Sequence, residues 1–208
     1  MDTLFTEYRR RYEECLRPTA VKLETHLREI LGGCERIDRI AARAKTPSSF
    51  VAKARRTDQA GGMRYPDPLH DIQDLIGARV IVFYLDDVEP VCATLLRYMR
   101  EIENRFHAPE KANEFGYVGK HLILILPDEA FVGGENDRPT CFEIQIKTLF
   151  QHAWSEADHD LGYKTRCCLS DDQRRRLAYA AASSWGADRI FRELFVEIHA
   201  EPAESPTA

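Results

Sequence analysis

The sequence predicts an α+β domain: a mixed sheet of about five strands flanked by helices, with further helices at the N- and C-terminal ends. Three observations carry this. Ala78–Tyr84 is a β-branched run that reads as a buried central strand. In Thr140–Thr148, Phe142, Ile144 and Ile146 alternate with Glu143, Gln145 and Lys147, a strand with one apolar face and one face of functional groups. The two ends instead space their apolar residues at helical intervals.

Taken in order, Leu4 to Leu31 reads as helix, with an apolar stripe of Val21, Leu23, Leu27, Ile30 and Leu31. Pro18 is expected to kink or split it, and Gly32-Gly33 to cap its C-terminus. Glu35 to Ala44 reads as a strand. Pro47 then suits the first turn of a helix holding Phe50, Val51 and Ala54, with Thr46 as N-cap. Gln59 to Leu69, rich in glycine and proline, reads as a mobile loop. Asp86-Asp87 opens a helix with Val88, Val91, Leu95, Leu96 and Met99 at helical spacing. Strands follow near Ile102–Phe106 and His121–Leu126 around the polar loop Lys111–Gly116, and Asp128–Pro139 reads as turns. A helix from about Leu149 to Leu161 precedes the capping box Ser170-x-x-Gln173. The last helix takes its apolar face from Leu177, Ala181, Trp185, Phe191, Leu194, Phe195 and Ile198. A chain of 208 residues fits one domain, expected over 1–200, with 201–208 as a disordered tail.

Composition excludes some functions. A net charge of -5 argues against a general nucleic-acid coat protein, without excluding a local basic pocket. Cys15, Cys34, Cys92, Cys141, Cys167 and Cys168 contain no Cys-x-x-Cys pair and read as reduced thiols. Met1-Asp2-Thr3-Leu4 begins no basic and apolar leader, and no apolar run is long enough to span a bilayer. The expected location is the cytoplasm, with no membrane partner.

Four clusters carry chemistry. Arg43-x-Lys45-x-x-x-Ser49-x-x-x-Lys53, followed by Arg55-Arg56, combines cations, a hydroxyl and a helix N-terminus, as a polyphosphate requires. Read alone, it is a solvated basic face. Asp71-Ile72-Gln73-Asp74-Leu75-Ile76-Gly77-Ala78-Arg79 places acids at a strand start, where one or two carboxylates hold Mg²⁺ beside substrate phosphates; the plainer use of such acids is a cap or turn. Phe115-Gly116-Tyr117-Val118-Gly119-Lys120-His121 sets glycines around an aromatic, either a stacking platform for a flat ligand or a core tyrosine beside a bulge. The strand Thr140–Thr148 supplies Glu143 as a second carboxylate. Beyond it, His152, Glu156 and His159 share a helical face and read as orienting scaffold rather than a zinc site.

In this order the clusters resemble the synthetase domain of the RelA/SpoT family. The matching residues are Arg43, Lys45, Ser49 and Lys53; Asp74, Gly77 and Arg79; Gly116, Tyr117 and His121; Glu143, Gln145 and Thr148; then His152, Trp154, His159, Tyr163 and Lys164. They span residues 43 to 164, most of the chain. The resemblance implies a short, synthetase-only member with a nucleotidyltransferase-like sheet. It implies transfer of the β,γ-pyrophosphate of ATP to the ribose 3′-hydroxyl of GDP or GTP, leaving AMP. Arg43 and Arg79 would clasp the adenine, and Lys45, Ser49, Lys53, Arg55 and Arg56 the ATP phosphates. Asp74 and Glu143 would hold Mg²⁺ and be catalytic, Glu143 also taking the proton of the attacking hydroxyl. Tyr117 would stack the acceptor base, with Lys120, His121, Gln145 and Lys147 near the acceptor.

The chain departs from the family pattern on the acceptor side. Val118-Gly119 stands where the pattern has a cation and a serine, Lys120 precedes His121, and Lys147 replaces an arginine, keeping charge but losing the bidentate fork. The same fold in toxin-like relatives pyrophosphorylates adenine nucleotides or the 3′ ends of tRNA. The alternatives are therefore such an enzyme, with tRNA and an antitoxin as partners, or a nucleotide-binding module without turnover. A homo-oligomer is compatible with each reading.

Overall fold

The computed structural model describes residues 3–58, 61–111, 114–162 and 169–200. Helix α1 (Thr3–Arg11) runs through one π-helical turn, Tyr12–Leu16, into α2 (Arg17–Ile30). A proline ring clashes with the carbonyl four residues back. For Pro18 that residue is Glu14, inside the widened turn, so the expected interruption takes this form. Gly32 and Gly33 follow the helix end, yet neither is left-handed; Arg36 is, with φ 57°. Its guanidinium pairs with Asp87 at 2.7 Å and lies over Phe195.

The chain continues through β1 (Ile37–Ala44), α3 (Pro47–Ala54), the single turn α4 (Pro68–Asp71), β2 (Ile76–Val82) and α5 (Val88–Tyr98). Then come β3 (Glu101–His107), β4 (Gly119–Ile125), β5 (Cys141–Thr148), α6 (Leu149–Gly162) and α7 (Asp171–His199). Thr46 caps α3 and Ser170 with Gln173 forms a complete capping box on α7. The stretch expected as turns, Asp128–Pro139, holds two 3-10 turns, Asp128–Ala130 and Glu135–Asp137.

The five strands form one mixed sheet in the order β1-β2-β5-β4-β3, with β2 and β5 parallel and every other pair antiparallel. Residues in register share a face. One face carries Ile40, Ala78, Val80, Leu122, Leu124, Phe142, Ile144 and Ile146, packed with Leu23 and Leu27 of α2 and Val91 and Leu95 of α5. Phe142, Ile144 and Ile146 are fully buried, each worth about 1.5–3 kcal/mol against exposure. The opposite face carries Arg43, Gly77, Arg79, Glu143, Gln145, Lys147, His121 and Ile123. The apolar face thus anchors the sheet and leaves the polar row free to build a site.

The last helix differs from expectation. Ala181 is buried, but Trp185, Phe191, Leu194 and Ile198 are exposed. At 1.5 Å per residue α7 is ~44 Å long. Its packing is mainly on α6 and the 3-10 turn Leu85–Asp87, which together are too short to cover it. Tyr163, Lys164, Cys167, Cys168 and the tail 201–208 lie outside the described residues. Among the described residues no helix is long and apolar enough to cross a membrane.

Candidate active site

The site starts where β1 ends. The Lys45 amide donates to the Leu75 carbonyl at 2.8 Å, and the Lys45 carbonyl accepts from the buried Tyr8 hydroxyl at 2.9 Å. Tyr8 in turn stacks on Phe50 of α3, centroids 3.7 Å apart and planes 3° from parallel. These contacts fix Lys45 beside the segment leading into β2. One helical turn beyond Ser49, Lys53 leaves α3 on the same side. Both ammonium groups converge on Asp74 Oδ2, at 3.0 Å from Lys45 and 2.9 Å from Lys53. Asp74 Oδ1 is buried and has no hydrogen-bond partner.

Glu143 enters from β5. Its register partner Gly77 follows Asp74 by three residues, so the two carboxylates sit at the same end of the parallel pair. Both line one cavity of about 190 Å³, together with Lys53, Tyr65, Gln73 and Ile123. Glu143 Oε1 accepts from His121 Nδ1 at 2.7 Å and Gln145 Nε2 at 3.3 Å. On the other side of that imidazole, Nε2 lies 2.5 Å from the Tyr117 hydroxyl. With Nδ1 protonated, the ring donates to Glu143 and accepts from the phenol. The His121 hydrogen bond, working against burial, holds the Glu143 carboxyl below the usual carboxylate range. Burial, and then the Glu143 charge, push the Tyr117 phenol up.

Farther along β5, Lys147 is only 4% exposed. Its ammonium contacts Ser155 Oγ at 3.2 Å and sits over the Tyr117 ring, 4.6 Å from the centroid. Burial, reinforced by the Arg79 charge, pushes it down from 10.5 to about 8. Arg79 pairs with Glu156 of α6 at 2.8 Å. Arg43 is exposed on edge strand β1, opposite Gly77, and Ala41 faces Arg79. Arg43 and Arg79 are therefore diagonal neighbours on one face.

The structure thus gathers Lys45, Lys53, Asp74, Arg79, Tyr117, His121, Glu143, Gln145 and Lys147 on one side of the sheet. Ser49 adjoins them, exposed and 2.9 Å from Thr46 Oγ1. Arg55 and Arg56 lie exposed just past the end of α3. Lys120 is a correction. It pairs in register with Ile146, which puts it on the opposite face from His121, and its ammonium meets Glu89 of α5 at 3.3 Å. Strand alternation carries adjacent side chains to opposite faces, so the cation is not displaced toward the acceptor side.

The expected scaffold trio divides. Glu156 is held by Arg79, while His152 Nδ1 is buried without a hydrogen bond and 4.0 Å from Glu156. Burial pushes His152 down. Three residues were not legible as site components: Tyr8, Tyr65 and Ser155. A Cβ on Gly119 would lie 2.8 Å from the Tyr117 hydroxyl and 3.4 Å from Lys147 Cε. Glycine at this departure from the family pattern is what lets the phenol fold over β4. Tyr65 stood in a stretch read as loop, and nothing in the sequence near Tyr8 links it to Lys45.

Among the described residues no three or more His, Cys, Asp or Glu gather as a metal site. Two carboxylates, one in the turn before β2 and one on β5, the first with a buried unsatisfied oxygen, fit a hard divalent cation that takes its other ligands from phosphate and water.

Comparison with known proteins bears on this geometry. The model described as "Region found in RelA / SpoT proteins" matches residues 42–167. The GTP pyrophosphokinase YjbM of Bacillus subtilis (strain 168) is 28% identical over 167 residues, 78% of this chain and 74% of that protein. A GTP pyrophosphokinase family protein from Streptococcus pneumoniae superposes with a TM-score of 0.74 at 28% identity, covering 95% of this chain and 96% of that one. The small alarmone synthetase 1 of Bacillus subtilis, solved with its product pppGpp, shares the fold with a TM-score of 0.73 at 22% identity, over 95% and 99% of the two chains. The matched region contains both carboxylates, the lysine clamp and the Tyr117–His121–Glu143 chain. The protein belongs to the RelA/SpoT family.

Proposed function

We propose that this chain is a pyrophosphokinase that transfers the β,γ-pyrophosphate of ATP to the 3′-hydroxyl of GDP or GTP, releasing AMP. The observation that carries the reading is the convergence of Asp74 and Glu143, 69 residues apart in sequence, on one cavity beside Lys53. The Bacillus subtilis relative named as a GTP pyrophosphokinase supports the choice of acceptor.

In this reading Lys45 and Lys53 exchange Asp74 for ATP phosphate oxygens, with Ser49 and the exposed Arg55 and Arg56 alongside. Diagonal neighbours on adjacent strands are ~7–8 Å apart, and a ring needs ~3.5 Å on each face. Arg43 and Arg79, with small Ala41 between them, therefore suit an adenine sandwiched by two guanidinium planes. Mg²⁺ held by Asp74 and Glu143 would supply charge neutralisation on the phosphates. Glu143, kept ionised by His121, accepts the proton of the 3′-hydroxyl as the new oxygen–phosphorus bond to the β-phosphorus forms and the bond to the α-phosphate oxygen breaks. His121 orients that carboxylate, and Tyr117, Gln145 and Lys147 position the acceptor. Transfer of this type needs alignment and charge neutralisation more than covalent help.

The test is AMP release from ATP with Mg²⁺ and GDP or GTP, together with the fate of a γ-labelled phosphate. Label is expected in a guanosine nucleotide, and Asp74→Asn and Glu143→Gln are each expected to slow the reaction by ~10²-fold or more. Label in tRNA or adenine nucleotides would replace the acceptor assignment. Full activity in both variants would remove the roles given to the carboxylates.

A further inference from the structure

Helix α6 holds two cations of the proposed site. Its Glu156 pairs with Arg79 at 2.8 Å, and its Ser155 meets the Lys147 ammonium at 3.2 Å. Where α6 begins therefore bears on where both cations stand. That start is set by Thr148, the last residue of β5 and the one before α6. The Gln151 amide donates to Thr148 Oγ1 at 3.1 Å, and the Thr148 amide donates to Gln151 Oε1 at 3.1 Å, a reciprocal cap on the helix.

A hydroxyl that accepts from the cap amide still has its own proton to place. Thr148 gives it to Asp188 Oδ2 of α7 at 2.8 Å, 40 positions away. Thr148 is fully buried and Asp188 is 3% exposed. Aspartate is a poor residue for a helix interior, and Asp188 stands well inside α7. The arginines beside it are engaged elsewhere, Arg189 over the Trp185 ring and Arg192 on Asp86. Asp188 Oδ1 is buried without a partner. Burial pushes the carboxyl up to about 6, with the Thr148 bond pulling the other way. A buried carboxylate with an unsatisfied oxygen costs stability, and the bond this one makes goes to the residue that starts α6.

We propose that Asp188 is a positioning residue for pyrophosphate transfer: by holding the Thr148 hydroxyl it fixes the start of α6, and through Glu156 and Ser155 the placement of Arg79 and Lys147. The role rests on the proposed function, in which Arg79 flanks the adenine and Lys147 lies toward the acceptor. Asp188 acts through other residues, from a helix beyond the region 42–167 matched to the family.

The full chain carries the test, with two readouts. Hydrogen exchange of the Gln151 amide, followed by NMR, reads the start of α6 without nucleotide. Binding of α,β-methylene ATP, whose scissile bond is blocked, reads Arg79 without turnover. Asp188→Ala is expected to speed exchange at Gln151 by about 5-fold or more and to weaken the analogue by about 10-fold or more. Asp188→Asn keeps a carbonyl oxygen for the hydroxyl and should restore most of both. Thr148→Val leaves Asp188 in place and should repeat the loss, which keeps the link testable should Asp188→Ala not fold. The two losses should not add in the double variant, because they break one chain of contacts. The proposal is overturned if Asp188→Ala leaves both readouts at the parent value, if exchange quickens while the analogue binds as before, or if the losses from Asp188→Ala and Thr148→Val add in full. Failure of the proposed function shows differently: the parent chain then does not bind the analogue, while exchange at Gln151 still answers to Asp188→Ala, which confines Asp188 to the helix start.

Discussion

Replacing Lys147 by methionine should make the protein more stable and less active. The ammonium is buried, touches one hydroxyl and one ring face, and shares the sheet surface with Arg79. Its displacement from 10.5 to about 8 corresponds to about 3 kcal/mol of unfavourable burial of the charged form. At pH 7 the lysine is protonated in both folded and unfolded chains, and this cost is fully present. Between pH 8 and 10.5 the unfolded chain retains a proton that the folded chain has released, so stability rises with pH across that window. Above 10.5 both forms are neutral and the cost is gone. Methionine is of similar length and uncharged, and Ser155 keeps its bond to the His152 carbonyl. After discounting for the lost ammonium–hydroxyl contact, the variant should gain about 1–3 kcal/mol at pH 7. At ~2–4 °C per kcal/mol for a chain of this size, the midpoint should rise by ~2–12 °C. Denaturant and thermal unfolding of variant and parent at pH 7 and pH 10 measure it, the difference between them cancelling other titrations. Lys147→Met proving less stable than the parent at pH 7, or an advantage equal at both pH values, would refute the reasoning. Weaker acceptor turnover alongside the gain in stability would fit the place of this cation on the functional face.

Three further outcomes follow from the same contacts. His121→Asn removes the bond that holds Glu143 low, so its carboxyl should titrate at higher pH and the acid limb of the kcat/KM profile should move upward; an unmoved limb would dissociate His121 from that carboxylate. Tyr8→Phe leaves the Lys45 carbonyl without its side-chain donor and should cost ~1 kcal/mol in unfolding and raise KM for ATP more than it lowers kcat; an unchanged KM would confine Tyr8 to packing. Gly119→Ala sets a methyl 2.8 Å from the Tyr117 hydroxyl, and should displace the phenol from His121 and raise KM for the acceptor while sparing ATP binding, a split that steady-state kinetics with each substrate varied would show.

Much of the site was readable in order along the chain because its chemistry is local in type. A cation-rich helix start, acids before a strand and a Glu-Gln-Lys row each follow from spacing; in the fold Lys45 and Lys53 meet Asp74, and the register of Gly77 with Glu143 brings that carboxylate to the same end of the sheet. Lys120 was misplaced because two adjacent residues of a strand look equivalent in sequence, and only pairing with Ile146 assigns it to the α5 side. The apolar pattern of α7 gave the helix but not its burial, since periodicity does not say how much of an apolar face its tertiary partners reach.

By itself the sequence determined the kinds of element, the α+β class, and which residues carry charge into the site. Tertiary structure decided what those residues do to one another. Tyr8 reaches Lys45 across 37 positions, the phenol of Tyr117 occupies space left by Gly119, and the buried Asp188 carboxylate of α7 accepts from Thr148 at the end of β5 across 40 positions. Spacing along a chain sets the faces of a helix or strand. Burial, and the protonation and partners that come with it, depend on which distant segments close over each side chain.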